Sequence, residues 1–199
     1  MIRFCHRLIF IRHGETDWNV EGRLQGQHDI PLNARGHGQA EAAGRTVGRI
    51  VGGAAARATL AAIASPLGRA CRTMELARGA LGLTPDIYAT DDRLKELSFG
   101  RWEGLTWSEV KALAPDLAGL READKWDFVP PGGESYAMLA LRIEPWLAEL
   151  RGDTLVVSHG GVARVLLALI AGVSEACAPH AAIWQGRVLV FESGGFVWV

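Results

Sequence analysis

The chain has 199 residues, of which 49% are hydrophobic and 22% are charged, and this composition is typical of one folded domain spanning residues 1–199. Its 21 Lys and Arg residues nearly balance 22 Asp and Glu residues, and the formal net charge of −1 provides no overall field to hold a nucleic acid or an anionic membrane. Any anion site must therefore be local.

The cysteines and the apolar stretches argue against several classes of protein: disulfide-rich, zinc-binding, secreted and membrane-spanning. Cys5, Cys71 and Cys177 are an odd number with no CxxC pair, which argues against a disulfide framework and a thiolate zinc site and favours the cytoplasm. The longest apolar stretch, residues 162–173, is interrupted by Arg164 and is shorter than the roughly 20 residues that cross a bilayer. Basic residues near the N-terminus argue against a secretory signal peptide, and no membrane span is expected.

Short strand-like runs alternate with helical patterns along the chain, which predicts crossover units around a largely parallel sheet. Residues 8–11 are apolar on both faces, as in a central buried strand. Asn33 is a good N-cap for the helical pattern that follows it. Residues 59–64 predict a second buried strand, and Ser65 followed by Pro66 predicts the start of the next helix.

The pattern loosens over residues 91–133, where we expect a short helix at 106–114 and a lid-like excursion over one edge of the sheet. The segment contains several aromatic residues, including Phe128, and four of them either line the substrate side of the site or form an apolar core: Phe99, Trp102, Trp107 and Trp126. Ser135 should cap a helix that Pro145 kinks or interrupts, because proline lacks the N–H group.

The last part of the chain returns to the alternating pattern. Residues 154–157 predict a third buried strand, and a helix should follow from 162 to about 171. Residues 187–192 and 196–199 predict a hairpin with its turn across residues 193–195.

Three of the strand-to-helix junctions carry groups that can bind a phosphate. Arg12 and His13 follow the first strand, Arg69 follows the second, and His159 with Gly160 follows the third. A single histidine or arginine is more often a surface or core residue. Because the carboxyl ends of strands in a doubly wound sheet meet in one crevice, the coincidence of these groups predicts a phosphate site there.

Five sequence blocks occur in order along the chain. They are IRHGETDWN at 11–19 with GRLQG at 22–26 and DIPL at 29–32, SPLGRA at 65–70, LKELSFGRWEG at 94–104, PGGES at 131–135, and VSHGG at 157–161. In these blocks the chain resembles the histidine phosphatase superfamily, which includes cofactor-dependent phosphoglycerate mutases. The resemblance implies a phosphoglycerate mutase-like three-layer sandwich, with a largely parallel central sheet and helices on both faces.

The resemblance also implies a role for each matched residue. His13 would be the nucleophile, because a neutral imidazole can attack phosphorus and become phosphohistidine. Arg12 and Arg69 would clamp the phosphoryl oxygens, and His159, protonated while phosphate is bound, would add a further donor. The remaining phosphate-binding positions are Asn19, Gln25 and Gly160.

Glu96 would protonate the leaving alkoxide and then deprotonate the water that attacks phosphohistidine, so its carboxyl must be protonated when substrate binds. The alternative for Glu96 is a surface carboxylate paired with Arg93 or Lys95. Asn33 departs from the family pattern, because Thr is the usual cap at that position.

The block around Glu96 resembles the small phosphatase branch of the superfamily, and the final strand leaves no polar tail to close over the site as in mutases. We therefore expect a phosphomonoester hydrolase that acts on small phosphorylated metabolites through phosphohistidine. The alternatives are a cofactor-dependent phosphoglycerate mutase and a non-catalytic domain that binds phosphorylated ligands. The expected partner is a small phosphate ester and not nucleic acid, and both a monomer and a homodimer are compatible with the sequence.

Hydrolysis should not depend on a metal ion or another cofactor, because the sequence contains no Asp and His cluster with metal-ligand spacing. Phosphate release from an aryl phosphate should be the same with and without EDTA. Loss of activity in EDTA that a divalent metal restores would contradict this prediction.

Overall fold

The computed structural model describes residues 6–192 and 194–199. Within these ranges the strands are β1 Leu8–Arg12, β2 Ala61–Ala64, β3 Ala89–Thr90, β4 Thr154–Ser158, β5 Val188–Glu192 and β6 Gly195–Trp198. They form a six-stranded sheet with the order β3-β2-β4-β1-β5-β6. Arg3, Cys5 and Ser193, to which parts of the sequence analysis refer, lie outside the described residues.

The centre of the sheet is parallel, as the sequence predicts. β1 pairs in parallel with β4, and β2 pairs in parallel with β4 and with β3. β5 and β6 form an antiparallel hairpin that joins the sheet at β1. The register between β1 and β4 aligns Leu8 with Thr154 and Arg12 with Ser158, so these two strands end side by side.

In the described part of the chain the α-helices are α1 Asp17–Val20, α2 Ala34–Val51, α3 Ala54–Ala58, α4 Gly68–Ala80, α5 Trp107–Leu113, α6 Pro115–Ala123, α7 Tyr136–Glu149 and α8 Gly160–Leu169. Single 3₁₀ turns occur at Asp92–Leu94, Gly100–Trp102 and Ala178–His180. None of the described helices combines the length and the apolar character needed to cross a membrane.

Alternate side chains of β1 enter two different cores. Ile9 and Ile11 are buried with residues of α2 and α4. Leu8 and Phe10 are buried with residues of α7 and α8. Because successive strand side chains point to opposite faces, this division confirms a three-layer α/β sandwich with helices on both faces of the sheet.

The second strand is shorter and less buried than the sequence predicts. Thr59 is the C-cap of α3, and its hydroxyl donates to the carbonyls of Ala55 and Ala56 at 3.3 and 3.2 Å. The strand therefore starts only at Ala61, which is exposed. The prediction of a buried strand from residue 59 is wrong because Thr59 belongs to the C-terminal end of α3.

The start of α4 also differs from the prediction. The helix begins at Gly68, and Ser65 does not cap it. The carboxylate of Asp29 accepts the N–H groups of Gly68 and Arg69 at 2.9 and 3.4 Å. The hydroxyl of Ser65 instead forms a hydrogen bond with His159, and its Oγ lies 2.7 Å from Nε2 of the ring. A carboxylate distant in sequence thus replaces the local cap.

Pro145 does not interrupt α7, which is continuous from Tyr136 to Glu149 and is capped by Ser135 as predicted. Pro145 lies on the solvent-exposed face of the helix, and Leu141, whose carbonyl loses its helical partner, is 74% exposed. Water can hydrate that carbonyl, which lowers the cost of proline at this position.

Residues 91–133 contain two 3₁₀ turns, α5 and α6. The predicted short helix is present as α5, and a second helix, α6, which the sequence pattern does not predict, follows with Pro115 in its first turn. Backbone hydrogen bonds of 2.8 and 2.9 Å join Leu24 to Gly104 and Leu105. The segment is therefore attached to the loop that follows α1.

The aromatic residues of this segment divide between core and cavity. Trp102 and Trp126 are 5% and 7% exposed, and they stack on Phe128 and Tyr136. Phe99 instead lines the cavity described below. The tryptophans thus form mainly an apolar core.

Replacing Asn33 with Ala should lower the free energy of unfolding by about 1 kcal/mol, because Asn33 Oδ1 accepts the N–H of Gly36 at 2.9 Å and caps α2. Denaturant titration will measure the change. Asn33→Thr, which keeps an oxygen acceptor, should recover most of the loss, and equal losses in the two variants would contradict a capping role.

Candidate active site

The parallel pairing of β1 and β4 places two histidines side by side at the carboxyl edge of the sheet. His13 follows β1, and its backbone N–H donates a hydrogen bond to the carbonyl of Ser158 at 2.8 Å. His159 follows β4, and the centres of the two imidazole rings are 5.1 Å apart. The convergence expected from the strand ends is therefore present.

The ring of His13 is held in one tautomer. Its Nδ1 lies 2.8 Å from the carbonyl of Gly14, which can only accept a hydrogen bond. The proton is therefore on Nδ1, and Nε2 carries the free lone pair. Burial, together with the charges of Arg69 and Arg12, lowers the pKa of His13 well below its ordinary value of 6.5. The ring is thus neutral at pH 7, as a nucleophile must be.

Arg12 and Arg69 approach the same cavity as His13. Arg12 Nη1 donates to the carbonyl of Ile183 at 2.8 Å, and Arg69 Nη2 donates to the carbonyl of Gly26 at 2.7 Å. In both guanidinium groups Nε is buried without a partner, and neither forms an ion pair within the described ranges. Burial lowers the pKa of Arg12 to about 10, so the group stays charged.

The cavity has a volume of about 160 Å³, which suits a phosphoryl group and a few neighbouring atoms. Its lining consists of Arg12, His13, Asn19, Arg23, Leu24, Gln25, Gly26, Arg69, Glu96, Phe99, Gly160 and Arg164. Every predicted phosphate-binding residue except His159 lies in this lining.

His159 is fully buried and does not line the cavity surface. Its Nε2 forms a hydrogen bond with the hydroxyl of Ser65, and its Nδ1 is buried without a hydrogen-bond partner. Burial, followed by the charges of Arg69, His13 and Arg12, lowers the pKa of His159 well below its ordinary value. Its protonation in the presence of phosphate stays a prediction, because it needs a bound dianion to offset those charges.

The carboxylate of Glu96 is held at the N-terminus of α8. It accepts the N–H groups of Leu97 and Gly161 at 2.9 and 3.0 Å. A Cβ atom on Gly161 would lie 2.3 Å from Glu96 Oε1, so glycine leaves the room that this carboxylate needs. Glu96 does not pair with Arg93 or Lys95, which bind other carboxylates.

Asn19 and Gln25 supply neutral polar groups. Asn19 Oδ1 accepts from the backbone N–H and the hydroxyl of Thr16, both at 3.1 Å, and from Gln185 Nε2 at 2.9 Å. Its NH₂ group is therefore what Asn19 can offer to a phosphate. Gln25 is 7% exposed, and its Oε1 is buried without a partner.

Several residues of the site were not singled out from the sequence. Gln185 donates to the carbonyl of His13 at 3.1 Å as well as to Asn19, and no local pattern indicates a contact across 172 positions. Arg164 could have been found, because it is a charged residue in an otherwise apolar helix. It lies four positions after Gly160, which places both on one helix face.

The described residues contain no group of three or more His, Cys, Asp or Glu side chains that could hold a metal ion. The cavity is instead rich in guanidinium groups, and its carboxylate is Glu96. This chemistry suits an anion and direct transfer of a phosphoryl group to nitrogen.

The chain is similar to known proteins over most of its length. Residues 8–198 match the family model of the histidine phosphatase superfamily, branch 1. Over 180 residues the chain is 35% identical to a glucosyl-3-phosphoglycerate phosphatase of Mycobacterium tuberculosis, covering 83% of this chain and 75% of that protein. It is also 31% identical to a 2,3-bisphosphoglycerate-dependent phosphoglycerate mutase of Beijerinckia indica, with 93% and 90% covered.

Solved structures show the same fold. The mycobacterial glucosyl-3-phosphoglycerate phosphatase in complex with VO₃ superimposes with a TM-score of 0.80 at 32% identity, covering 98% of this chain and 96% of that one. The α-ribazole phosphatase of Shigella flexneri superimposes with a TM-score of 0.79 at 27% identity, covering 97% and 94%.

Acid should destabilise the protein partly through His13. Its pKa is lowered in the folded state, so below about pH 6.5 the unfolded chain binds more protons and the free energy of unfolding falls as the pH decreases. One such histidine contributes at most about 1.4 kcal/mol per pH unit. Urea titrations will measure the free energy of unfolding at pH 7.5 and at pH 5.5. The decrease between these two pH values should be smaller for His13→Asn than for the wild type. An unchanged difference would contradict the lowered pKa.

Proposed function

Since the chain belongs to the histidine phosphatase superfamily, branch 1, and is a phosphomonoesterase acting on small phosphorylated metabolites, we propose that His13 is the residue that accepts the phosphoryl group. The observation that carries this assignment is the contact of Nδ1 with the carbonyl of Gly14, which directs the free lone pair to Nε2. The two guanidinium groups that face the same cavity without carboxylate partners support it.

In the first step Nε2 of His13 attacks phosphorus, a P–N bond forms, and the bond from phosphorus to the ester oxygen breaks with its electron pair on that oxygen. Arg12 and Arg69 hold the three phosphoryl oxygens, and their fixed charges stabilise the transition state. The guanidinium groups are anchored by backbone carbonyls, so little reorganisation is needed during the reaction.

Glu96 handles the protons. Its carboxyl donates a proton to the leaving alkoxide, and the resulting carboxylate then takes one from the water that attacks the phosphohistidine. Its position on the cavity wall, facing the same space as His13, supports this role. Cleavage of the P–N bond returns His13 and releases inorganic phosphate.

The remaining polar groups bind phosphate. His159 offers its unpartnered Nδ1, which becomes a donor once the ring is protonated next to the dianion. The NH₂ group of Asn19, Gln25 and the backbone N–H of Gly160 complete the set.

We also propose that residues 1–199 form one domain, that residues 91–133 are a lid-like excursion beside the site, and that the cysteine pattern reflects a cytoplasmic location.

Mutase activity is the second candidate, because a phosphoglycerate mutase is among the relatives with matching length. A mutase and a phosphatase share the phosphohistidine and differ in whether a substrate hydroxyl or water accepts the phosphoryl group. Incubation with 3-phosphoglycerate and 2,3-bisphosphoglycerate separates the two. Formation of 2-phosphoglycerate would favour the mutase, and release of inorganic phosphate favours the phosphatase.

Rapid-quench experiments with a ³²P-labelled aryl phosphate test the mechanism. The wild type should form an acid-labile, base-stable phosphoenzyme, and His13→Ala should form none and lose turnover. Glu96→Gln should slow turnover and accumulate the phosphoenzyme if its hydrolysis becomes limiting. Glu41→Gln, which removes an exposed carboxylate on α2, is the matched control and should behave as the wild type. A base-labile adduct would indicate a carboxylate or thiolate nucleophile and would overturn the assignment of His13.

A further inference from the structure

The peptide group between His13 and Gly14 is held by side chains on both of its sides. Its carbonyl oxygen, which belongs to His13, accepts a hydrogen bond from Nε2 of Gln185 at 3.1 Å. Its N–H group, which belongs to Gly14, donates to the hydroxyl oxygen of Thr73 at 3.0 Å. Because the carbonyl and the N–H group of one peptide lie in one plane and point in opposite directions, the two contacts fix the orientation of that plane.

Thr73 is fully buried on α4, one turn after Arg69. Its hydroxyl donates to the carbonyl of Arg69 at 2.7 Å, and this bond leaves the lone pairs of the oxygen for the N–H group of Gly14. The hydroxyl therefore connects the loop of the proposed nucleophile to the helix that carries one of the two phosphate-binding arginines.

Gln185 lies between the 3₁₀ turn at Ala178–His180 and β5, and it is half-buried. Its NH₂ group has two acceptors, the carbonyl of His13 and, at 2.9 Å, Oδ1 of Asn19. The second contact occupies the amide oxygen of Asn19 and leaves the NH₂ group of Asn19 for a phosphate. Gln185 thus contacts both the backbone of the proposed nucleophile and a phosphate-binding side chain.

Gly14 needs such contacts because its own backbone is little restricted. A Cβ atom on Gly14 would lie 2.3 Å from the carbonyl oxygen of Gly36 in the first turn of α2, so glycine is required there. Glycine has more backbone freedom than any other residue, and contacts from outside must therefore fix the direction of its carbonyl. That carbonyl is the acceptor for Nδ1 of His13.

A displaced Gly14 carbonyl would leave Nδ1 of His13 without its acceptor, and the ring could then carry its proton on either nitrogen. A proton on Nε2 removes the lone pair that attacks phosphorus. Thr73 and Gln185 do not line the cavity, so they can influence the reaction only through the residues that they hold.

We propose that Thr73 and Gln185 are positioning residues for phosphoryl transfer, because together they hold the peptide between His13 and Gly14 and so keep the Gly14 carbonyl on Nδ1 of His13. This inference rests on the proposed function, since it assumes that Nε2 of His13 attacks phosphorus.

The tautomer of His13 is measured by ¹⁵N NMR of protein labelled at histidine, and the signals of His13 are those that His13→Asn removes. The wild type should carry the proton on Nδ1. Thr73→Val keeps the shape of the side chain without the hydroxyl, and Gln185→Met removes the N–H groups. Both variants should place part of the proton population on Nε2, whereas a variant that is merely less stable would keep the wild-type tautomer.

Rapid-quench kinetics with a ³²P-labelled aryl phosphate measure the consequence for catalysis. Thr73→Val should form the phosphoenzyme about tenfold more slowly, and its inhibition constant for inorganic phosphate should change by less than about threefold, because Arg12 and Arg69 are retained. Thr73→Ser keeps the hydroxyl and should recover most of the rate. Thr154→Val is the matched control and should behave as the wild type, since it removes a buried hydroxyl at the opposite end of the sheet.

Gln185→Met should slow phosphoenzyme formation and also raise the inhibition constant for inorganic phosphate, because Asn19 loses a partner. In an Asn19→Ala background Gln185→Met should no longer raise that constant. Gln185 is only half-buried and lies outside the helices and strands, so this variant keeps the test available if Thr73→Val does not fold.

The outcomes separate this inference from the proposed function. The wild-type tautomer in the two variants, or a Thr73→Ser variant as slow as Thr73→Val, would overturn the positioning role and leave the assignment of His13 intact. Absence of phosphoenzyme in the wild type would instead contradict the role of His13.

Discussion

The parallel pairing of β1 with β4 is the interaction on which the candidate site depends. Its register aligns Arg12 with Ser158, and the next residue of each strand is a histidine. The hydrogen bond from the N–H of His13 to the carbonyl of Ser158 extends the pairing by one residue beyond β1. A shift of this register by one residue would separate the imidazole rings and reverse the faces on which the strand side chains lie. The two apolar cores on either side of β1 prevent that shift.

The guanidinium groups of Arg12 and Arg69 and one carboxylate, Glu96, line the cavity, and neither of these guanidinium groups forms an ion pair within the described residues. Backbone carbonyls of Gly26, His28 and Ile183 hold the guanidinium groups of Arg12 and Arg69, and carbonyls satisfy donors without adding a full negative charge. The two histidines remain neutral because burial and these guanidinium groups lower their pKa values. A phosphate dianion is therefore the charge that the site lacks, and the nucleophile is already in its reactive form.

The same principle extends beyond the phosphate cavity. The rings of Phe99 and Trp107 pack against Arg121, and the carbonyl of Pro179 accepts a hydrogen bond from Lys125. Arg164 joins the two regions because it lies on α8 one turn after Gly160.

The sequence patterns by themselves determined the largely parallel sheet and the ends of its central strands, because hydrophobic periodicity is a local property, and the resemblance of the ordered blocks implied the three-layer arrangement. The strand ends predicted that Arg12, His13, Arg69 and Gly160 meet at one cavity, and the resemblance of the ordered blocks added Asn19, Gln25 and Glu96. Only the tertiary structure decided that Asp29 caps α4, that Ser65 binds His159 and that Gln185 supports His13. These contacts join residues far apart in the chain, and they depend on how loops pack over the sheet, which no local pattern encodes.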